Sequence, residues 1–190
     1  MTDLGIVILA AGLGRRFGGN KVMAMFHGQP MLAHTISVAE GIPGAEMAIV
    51  ASNGETRCYA EEKNRKVLWN PAPEEGIASS IRRGTAYFGQ KDAILFLVCD
   101  MPLLTAESVR RLVQAFENSS AAAACLKDGS HSGNPAVFSR RCFPALLELS
   151  GEAGGKRVLR QYAQEVLTVP CIFENELTDA DTKSALSQLS

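Results

Sequence analysis

Net charge is almost missing from this chain: 19 Lys and Arg stand against 20 Asp and Glu, leaving −1 with His neutral. A chain so balanced has no bulk electrostatic attraction for nucleic acid or an anionic membrane. Long apolar runs are missing too, and none could span a bilayer. The first apolar run is short and follows Asp3 rather than a basic stretch, so it does not read as a signal peptide. Cysteine is sparse and unpaired in pattern: Cys58, Cys99, Cys125, Cys142 and Cys171 are odd in number and show no C-x-x-C spacing. We expect small buried apolar residues in a reducing cytoplasm, not a zinc site or a disulfide frame. His27, His34 and His131 are scattered, with no cysteine at ligand spacing, which argues against a structural transition metal. Repeats and disordered linkers are also lacking. The 190 residues suit one domain with a substantial core, spanning 1–190, with a small C-terminal lobe as a possible elaboration.

What the chain does have is concentrated near its start. Ile6-Val7-Ile8-Leu9-Ala10-Ala11 is a continuous apolar stretch of the kind found in a strand buried on both faces of a parallel sheet. It breaks into Gly12-Leu13-Gly14-Arg15-Arg16-Phe17-Gly18-Gly19-Asn20-Lys21. Glycines let backbone N–H groups approach a phosphate, and Arg and Lys supply positive charge, so a polyphosphate is the expected guest. A P-loop needs Lys directly after its last Gly and then Ser or Thr, whereas here Asn20 intervenes and Val22 follows Lys21. A dinucleotide fingerprint needs G-x-G-x-x-G, and Gly12, Gly14 and Gly18 have one residue too many in the second gap.

Strand-like segments recur at Gly5–Ala10, Glu46–Ala51, Val67–Trp69, Ala93–Cys99, Ala121–Leu126 and Val166–Val169. Helical patterns lie at Met31–Glu40, Ile77–Phe88, Ala106–Glu117, Pro144–Leu149 and Lys156–Ala163. This alternation predicts a three-layer α/β/α sandwich with a mainly parallel sheet, whose ligands sit at the carboxyl ends of the strands. Gly129–Pro135 reads as a hairpin or loop beside that cleft, and Trp69 reads as core packing.

Asp100 follows the buried strand and precedes Pro102, which places a carboxylate at the cleft rim. Magnesium bound to phosphates takes one or two protein carboxylates, and Asp100 is a candidate. Thr105, with Ser108 after it, is the expected cap of the following helix, leaving Asp100 free. A second carboxylate could come from Asp179 or Asp181; for Asp179, capping of the last helix is the favoured role. Gly76, Ser79 and Ser80 open a helix with N–H groups and hydroxyls that suit a nucleobase edge or a ribose. Gly133-Asn134-Pro135 and Gly151–Arg157 read as turns with phosphate-friendly composition.

These residues resemble a known family. Leu9-Ala10-Ala11-Gly12-x-Gly14-x-Arg16-Phe17-Gly18-x-x-Lys21 is similar to the L-A-A-G-x-[SG]-x-R-[MF]-G-x-x-K signature of the molybdopterin nucleotidyltransferases, members of the glycosyltransferase-A-like nucleotidyltransferase group. Asn70-Pro71 through Gly76, Ser80 and Gly84, then Asp100-Met101-Pro102, Gly133-Asn134-Pro135 and Asp179-Ala180-Asp181-Thr182 resemble further motifs of that family in order. The resemblance implies that Leu9, Ala10, Ala11 and Gly12 meet base and ribose, with Gly14 in the phosphate loop and Gly76 and Ser80 completing the base pocket. It implies that Arg16 and Lys21 hold the triphosphate, Asp100 and Asp181 bind Mg2+, and Asn134, Gly155 and Lys156 serve the acceptor. Ala11, where GTP-using members have Gly, points to CTP. The implied activity is that of a molybdenum cofactor cytidylyltransferase. The terminal phosphate of molybdopterin attacks the α-phosphorus of CTP and expels pyrophosphate, and an apo-molybdoenzyme or its chaperone is the downstream partner. The N-terminal half would bind nucleotide and the C-terminal half the acceptor.

The acceptor segment departs from the family pattern. Glu152 stands where Asp is expected and Lys156 where Arg is, with Arg157 displaced by one. Lysine cannot reproduce the bidentate fork of arginine. A sugar- or alditol-phosphate acceptor therefore stays open, as does a non-catalytic protein that binds nucleotide and molybdopterin for delivery.

Overall fold

The apolar run at the N-terminus becomes β1 (Leu4–Ala10), and its side chains alternate between two buried faces. Ile6, Ile8 and Ala10 join one core cluster, and Val7 and Ala11 join another. The computed structural model describes residues 2–129 and 131–189. After β1 come a short hairpin, β2 (Met25–Phe26) and β3 (Gln29–Pro30), then α1 (Met31–Glu40), β4 (Glu46–Ala51), α2 (Gly54–Glu62) and β5 (Lys66–Trp69). The chain continues with α3 (Ile77–Tyr87), β6 (Ala93–Val98), α4 (Ala106–Glu117), β7 (Ala123–Asp128) and β8 (His131–Ser139). It ends with α5 (Phe143–Leu147), α6 (Gly155–Gln161), β9 (Val166–Pro170) and α7 (Lys183–Gln188).

Seven strands form one sheet in the order β5-β4-β1-β6-β8-β7-β9. Within it β8 runs antiparallel to β6 and β7, while the other pairings are parallel. Side chains of α1, α2 and α4 (Leu32, Ala60, Leu112) pack on one face, and those of α3, α5 and α6 (Ile81, Leu146, Val158) on the other. This is the expected α/β/α sandwich. The chain leaves β1 toward β4 and returns through α3 to β6 on the other side of β1. The switch point thus lies between the carboxyl ends of β1 and β6, where open α/β sheets bind ligands.

Several expectations need correction. α2 escaped notice because Thr56 and Ala60 are its buried residues, too few to show a period. β8 was hidden by Gly133-Asn134-Pro135, a turn-like string that sits inside the strand. The β7–β8 register slips between Cys125 and Lys127 there, and such an irregularity tolerates a proline without an N–H. The expected hairpin exists as β7 paired antiparallel with β8; Ser130 lies outside the described residues. Trp69 is not core: it ends the edge strand β5 and is 44% exposed. Cys58 is exposed and Cys171 half-buried, so the buried-thiol reading holds for Cys99, Cys125 and Cys142. Among the described residues no helix is long and apolar enough to cross a membrane.

Candidate active site

The glycine-rich segment after β1 is a turn rather than a helix start. The N–H groups of Phe17 and Gly18 both donate to the Gly14 carbonyl at 3.0 Å. Gly14 has φ +58°, and a Cβ there would sit 2.2 Å from the Gly19 carbonyl oxygen, so the turn demands glycine. Asn20, which disqualified the P-loop, pins the turn. Its amide donates to Asn53 Oδ1 (3.1 Å), Glu55 Oε2 (2.8 Å) and Thr56 Oγ1 (3.2 Å) at the start of α2. Under the turn, Phe17 packs with Phe26, Met31, Ala180 and Leu186 in a small apolar cluster that joins the loop to the C-terminal segment.

That packing brings four charges together, two cations and two carboxylates. Lys21 Nζ donates to Asp181 Oδ1 at 2.8 Å and to Asp100 Oδ2 at 3.2 Å, and Arg16 Nη1 lies 2.9 Å from Asp181 Oδ2. The Ala180 N–H donates to the Asp100 carbonyl at 2.7 Å, tying the C-terminal loop to the end of β6. The hydrogen bond from Lys21, with its charge and that of Arg16, lowers the pKa of Asp181 below the ordinary carboxylate value. Asp179 moves the other way, raised by burial and by the nearby charges of Asp100 and Asp181. It does not cap α7: Thr182 does, accepting from the Ala185 N–H. Thr105 caps α4 as expected.

The other oxygen of Asp100, Oδ1, is buried and has no hydrogen-bond partner among the described residues. A buried carboxylate oxygen without a donor is costly unless a ligand completes it. Among the described residues no cluster of three or more His, Cys, Asp and Glu side chains could hold a metal by itself. Asp100 and Asp181 therefore fit an ion that shares its coordination with phosphates or water.

Lys21 and both carboxylates line a cavity of about 410 Å³ at the switch point. Of the sequence-predicted nucleotide residues, Leu9, Ala11, Gly12, Gly14, Gly76 and Ser80 lie on its wall, as do Arg16, Lys21, Asp100 and Asp181. Ala10 does not, because its side chain points into the core at 0% exposure. Ala11 lines the cavity and packs on the core, with its carbonyl accepting from Ser52 Oγ at 3.0 Å. Asn134 and Lys156 belong to a second cavity of about 180 Å³, which meets the first at Ile77, Val98 and Asp100. Gly155 lines neither; it begins α6 against the ring of Phe138, where a Cβ would lie 3.1 Å from that ring.

Further residues join the walls, Glu74 among them without a site role expected from the sequence. Glu152 and Glu74 border the larger cavity, and His131, Ser132 and Asp179 the smaller. The loop carrying Glu152 is locked to α3: the Ala78 N–H donates to the Gly151 carbonyl (3.2 Å), and Arg82 donates to the Leu149 carbonyl (2.7 Å) and to Glu75 (2.9 Å). Gly76, at φ +83°, has no room for a Cβ, which would lie 2.4 Å from the Gly151 oxygen. Buried Glu176 is a second surprise. It accepts from the Thr105 N–H and hydroxyl (3.0 and 2.9 Å), the Ser108 hydroxyl (2.7 Å) and the Phe173 N–H (2.9 Å). Its sequence context, Glu174-Asn175-Glu176-Leu177-Thr178, is largely polar and gave no sign of burial.

Residues 6–166 match the family model described as MobA-like NTP transferase domain. Bifunctional protein GlmU of Chromobacterium violaceum is 31% identical over 118 residues, 60% of this chain and 26% of that protein. The chain spans about a quarter to two fifths of the length of the curated relatives it matches. Among solved structures, Rv0371c of Mycobacterium tuberculosis in complex with manganese aligns with TM-score 0.76 at 19% identity, covering 99% of this chain and 98% of that one. Molybdopterin-guanine dinucleotide biosynthesis protein A of Archaeoglobus fulgidus aligns at 0.70 with 15% identity, covering 97% and 95%. CMP:2-keto-3-deoxy-manno-octonic acid synthetase complexed with CTP aligns at 0.81 with 14% identity, covering 99% and 97%. At these identities the alignments show a shared fold.

Proposed function

The chain belongs to the MobA-like NTP transferase domain family, and from that premise we propose that it moves CMP from CTP to the terminal phosphate of molybdopterin, releasing pyrophosphate. The observation that carries the reading is the paired Asp100 and Asp181 under the Lys21 ammonium, with Asp100 where the two cavities join. A triphosphate in the larger cavity and a phosphate acceptor in the smaller one would meet at that junction. The N-terminal half then supplies most of the nucleotide wall and the C-terminal half most of the acceptor wall, within one domain.

Transfer to phosphorus rests on positioning and charge neutralisation more than on covalent chemistry by the protein. Lys21 and Arg16 exchange their carboxylate partners for the triphosphate and neutralise the charge that grows on pyrophosphate as it leaves. The flexible stem of Lys21 allows that exchange. Glycine-loop N–H groups orient the phosphates. An acceptor phosphate is already ionised at neutral pH and needs no general base. Asp100 and Asp181 would hold Mg2+, which when bound supplies Lewis-acid charge stabilisation; the manganese in the Rv0371c structure supports a divalent ion in this fold. CTP rather than GTP rests on Ala11, and the CTP held by the octonic acid synthetase is in keeping with it. The molybdopterin acceptor is supported by the family and by the Archaeoglobus structure.

One observation favours a second reading. The smaller cavity, at about 180 Å³, is below the roughly 300 Å³ at which small-molecule pockets begin. A sugar or alditol phosphate would fill it with less overhang than a pterin. Pyrophosphate release from CTP or GTP with Mg2+, measured with and without molybdopterin and with sugar phosphates, separates these cases. Release that depends on CTP and molybdopterin is the expected result. Release only with a sugar phosphate moves the acceptor to the second reading, and binding without release leaves a delivery protein. Asp100→Asn is expected to lower turnover by about a hundredfold or more while the fold survives; near-normal release by that variant removes Asp100 from the mechanism.

A further inference from the structure

Asn70 is 1% exposed and lines neither cavity. All of its side-chain hydrogen bonds are nevertheless committed beside the larger one. The Ala72 N–H donates to Asn70 Oδ1 at 3.1 Å, and a backbone donor can meet only the oxygen of an amide, so the amide is held in one orientation. Its Nδ2 must then face Ser79 Oγ at 2.8 Å and Ser80 Oγ at 3.0 Å, donating to both. The two hydroxyls differ in where their own protons go. Ser79 donates to the Gly76 carbonyl at 2.8 Å. Ser80 has no acceptor for its proton among the described residues, and it lies on the wall of the larger cavity.

We infer that Asn70 is a positioning and specificity-determining residue: by donating to Ser80 Oγ, it turns that hydroxyl into an obligate hydrogen-bond donor toward the bound nucleoside. The inference rests on the reading of the larger cavity as the nucleotide site. A hydroxyl carries one proton and two lone pairs. With one lone pair taken by Asn70 and no acceptor for the proton inside the fold among the described residues, the proton is left to point at the cavity. The ligand atom it meets must be an acceptor, such as the carbonyl oxygen or unprotonated ring nitrogen of a cytosine edge. An N–H at that place would leave two donors facing each other, which costs more than a missing bond. Ser80 is the group that touches the nucleoside, and Asn70 acts only through it.

The test is the dissociation constant of CTP, measured by calorimetry on the full chain and on variants whose cooperative melting is checked first. Ser80→Ala is expected to weaken binding by about tenfold, the worth of one hydrogen bond. Asn70→Asp keeps the shape of the side chain and the bond from Ala72, but its second oxygen accepts the Ser80 proton and draws it away from the cavity; about tenfold weakening is again expected. Asn70→Ala frees the hydroxyl to rotate and is expected to cost only about threefold. In a Ser80→Ala background both Asn70 substitutions should lose most of their effect. A purely structural Asn70 predicts the opposite order, with Asp milder than Ala, and full additivity with Ser80→Ala. Either of those outcomes overturns the inference, as does unchanged binding by Asn70→Asp. If Asn70→Asp does not fold, the Asn70→Ala and Ser80→Ala cycle decides: a loss in Asn70→Ala equal to or above that of Ser80→Ala overturns the inference. Failure of the parent chain to bind CTP overturns the nucleotide reading itself, and the inference with it.

Discussion

The Lys21 side chain is only 14% exposed and makes two charge-assisted contacts, at 2.8 Å to Asp181 and 3.2 Å to Asp100. Two consequences follow at the residue scale. On the proposed function Lys21 holds the triphosphate, so for Lys21→Ala KM for CTP is expected to rise about tenfold or more in steady-state assays; unchanged CTP kinetics would refute the role. In the metal-free chain the same substitution also strips Asp181 of the partner that lowers its pKa. A lowered carboxyl pKa contributes stability above the unfolded value of 3.8 and loses it as pH falls through the folded value. The melting temperature of Lys21→Ala should therefore lie below that of the parent at neutral pH, with the gap closing below the ordinary carboxylate range. A gap that stays constant with pH would show that Lys21 acts through packing alone.

At the scale of elements, the site depends on segments far apart in sequence being stapled together. Glu176 joins the start of α4 to residues 172–177, and that stretch leads into the loop carrying Asp179 and Asp181. Ser108 extends the staple by accepting from the Ile172 N–H at 2.8 Å. Glu176→Ala would leave two backbone N–H groups and two hydroxyls without their acceptor in a buried place. The expected loss is about 3 kcal/mol, or roughly 10 °C in melting temperature for a domain of this size. Calorimetric melting checks it, and a variant that melts within about 2 °C of the parent would show the staple to be dispensable. Mn2+ binding with nucleotide present should also weaken, because Asp181 loses its fixed approach to Asp100.

Across the whole molecule, the cysteines report how the layers close over the sheet. Burial pushes the Cys99 thiol up to about 12, and burial with the nearby Glu176 charge does the same for Cys171. Cys142 rises to about 11 and Cys125 also rises, again mainly through burial. Thiolate, the reactive form, is thereby suppressed at all four, whereas Cys58 is exposed on α2. A disulfide-exchange reagent at pH 8 should titrate Cys58 rapidly, half-buried Cys171 more slowly, and the three buried thiols only as fast as the fold opens. Rapid reaction of Cys99, Cys125 or Cys142 in the native chain would contradict the packing of β6, β7 and β8.

The layered fold was legible because β1 and β6 are apolar without interruption and helical patterns alternate with strands. Those are local consequences of burying both faces of a parallel sheet. The glycine turn and its cations were legible as well, since both lie within one short stretch of sequence. The antiparallel β8 was not legible, because its Gly133-Asn134-Pro135 string carries a turn signal that pairing with β6 and β7 overrides. Nor was the choice between Asp179 and Asp181, two residues apart in one polar loop. The Ala180 N–H on the Asp100 carbonyl and the burial of Ala180 and Leu186 beside Phe17 aim Asp181 at Lys21, while Asp179 faces the second cavity. By itself, then, the sequence determined the parallel strands of the sheet, most of its sandwiching helices and the cationic glycine turn, all of which arise from near-neighbour patterns. The meeting of Lys21 with two carboxylates, and the donor polarity of Ser80, were decided only by the tertiary structure, because they depend on contacts across as many as 160 positions in the chain.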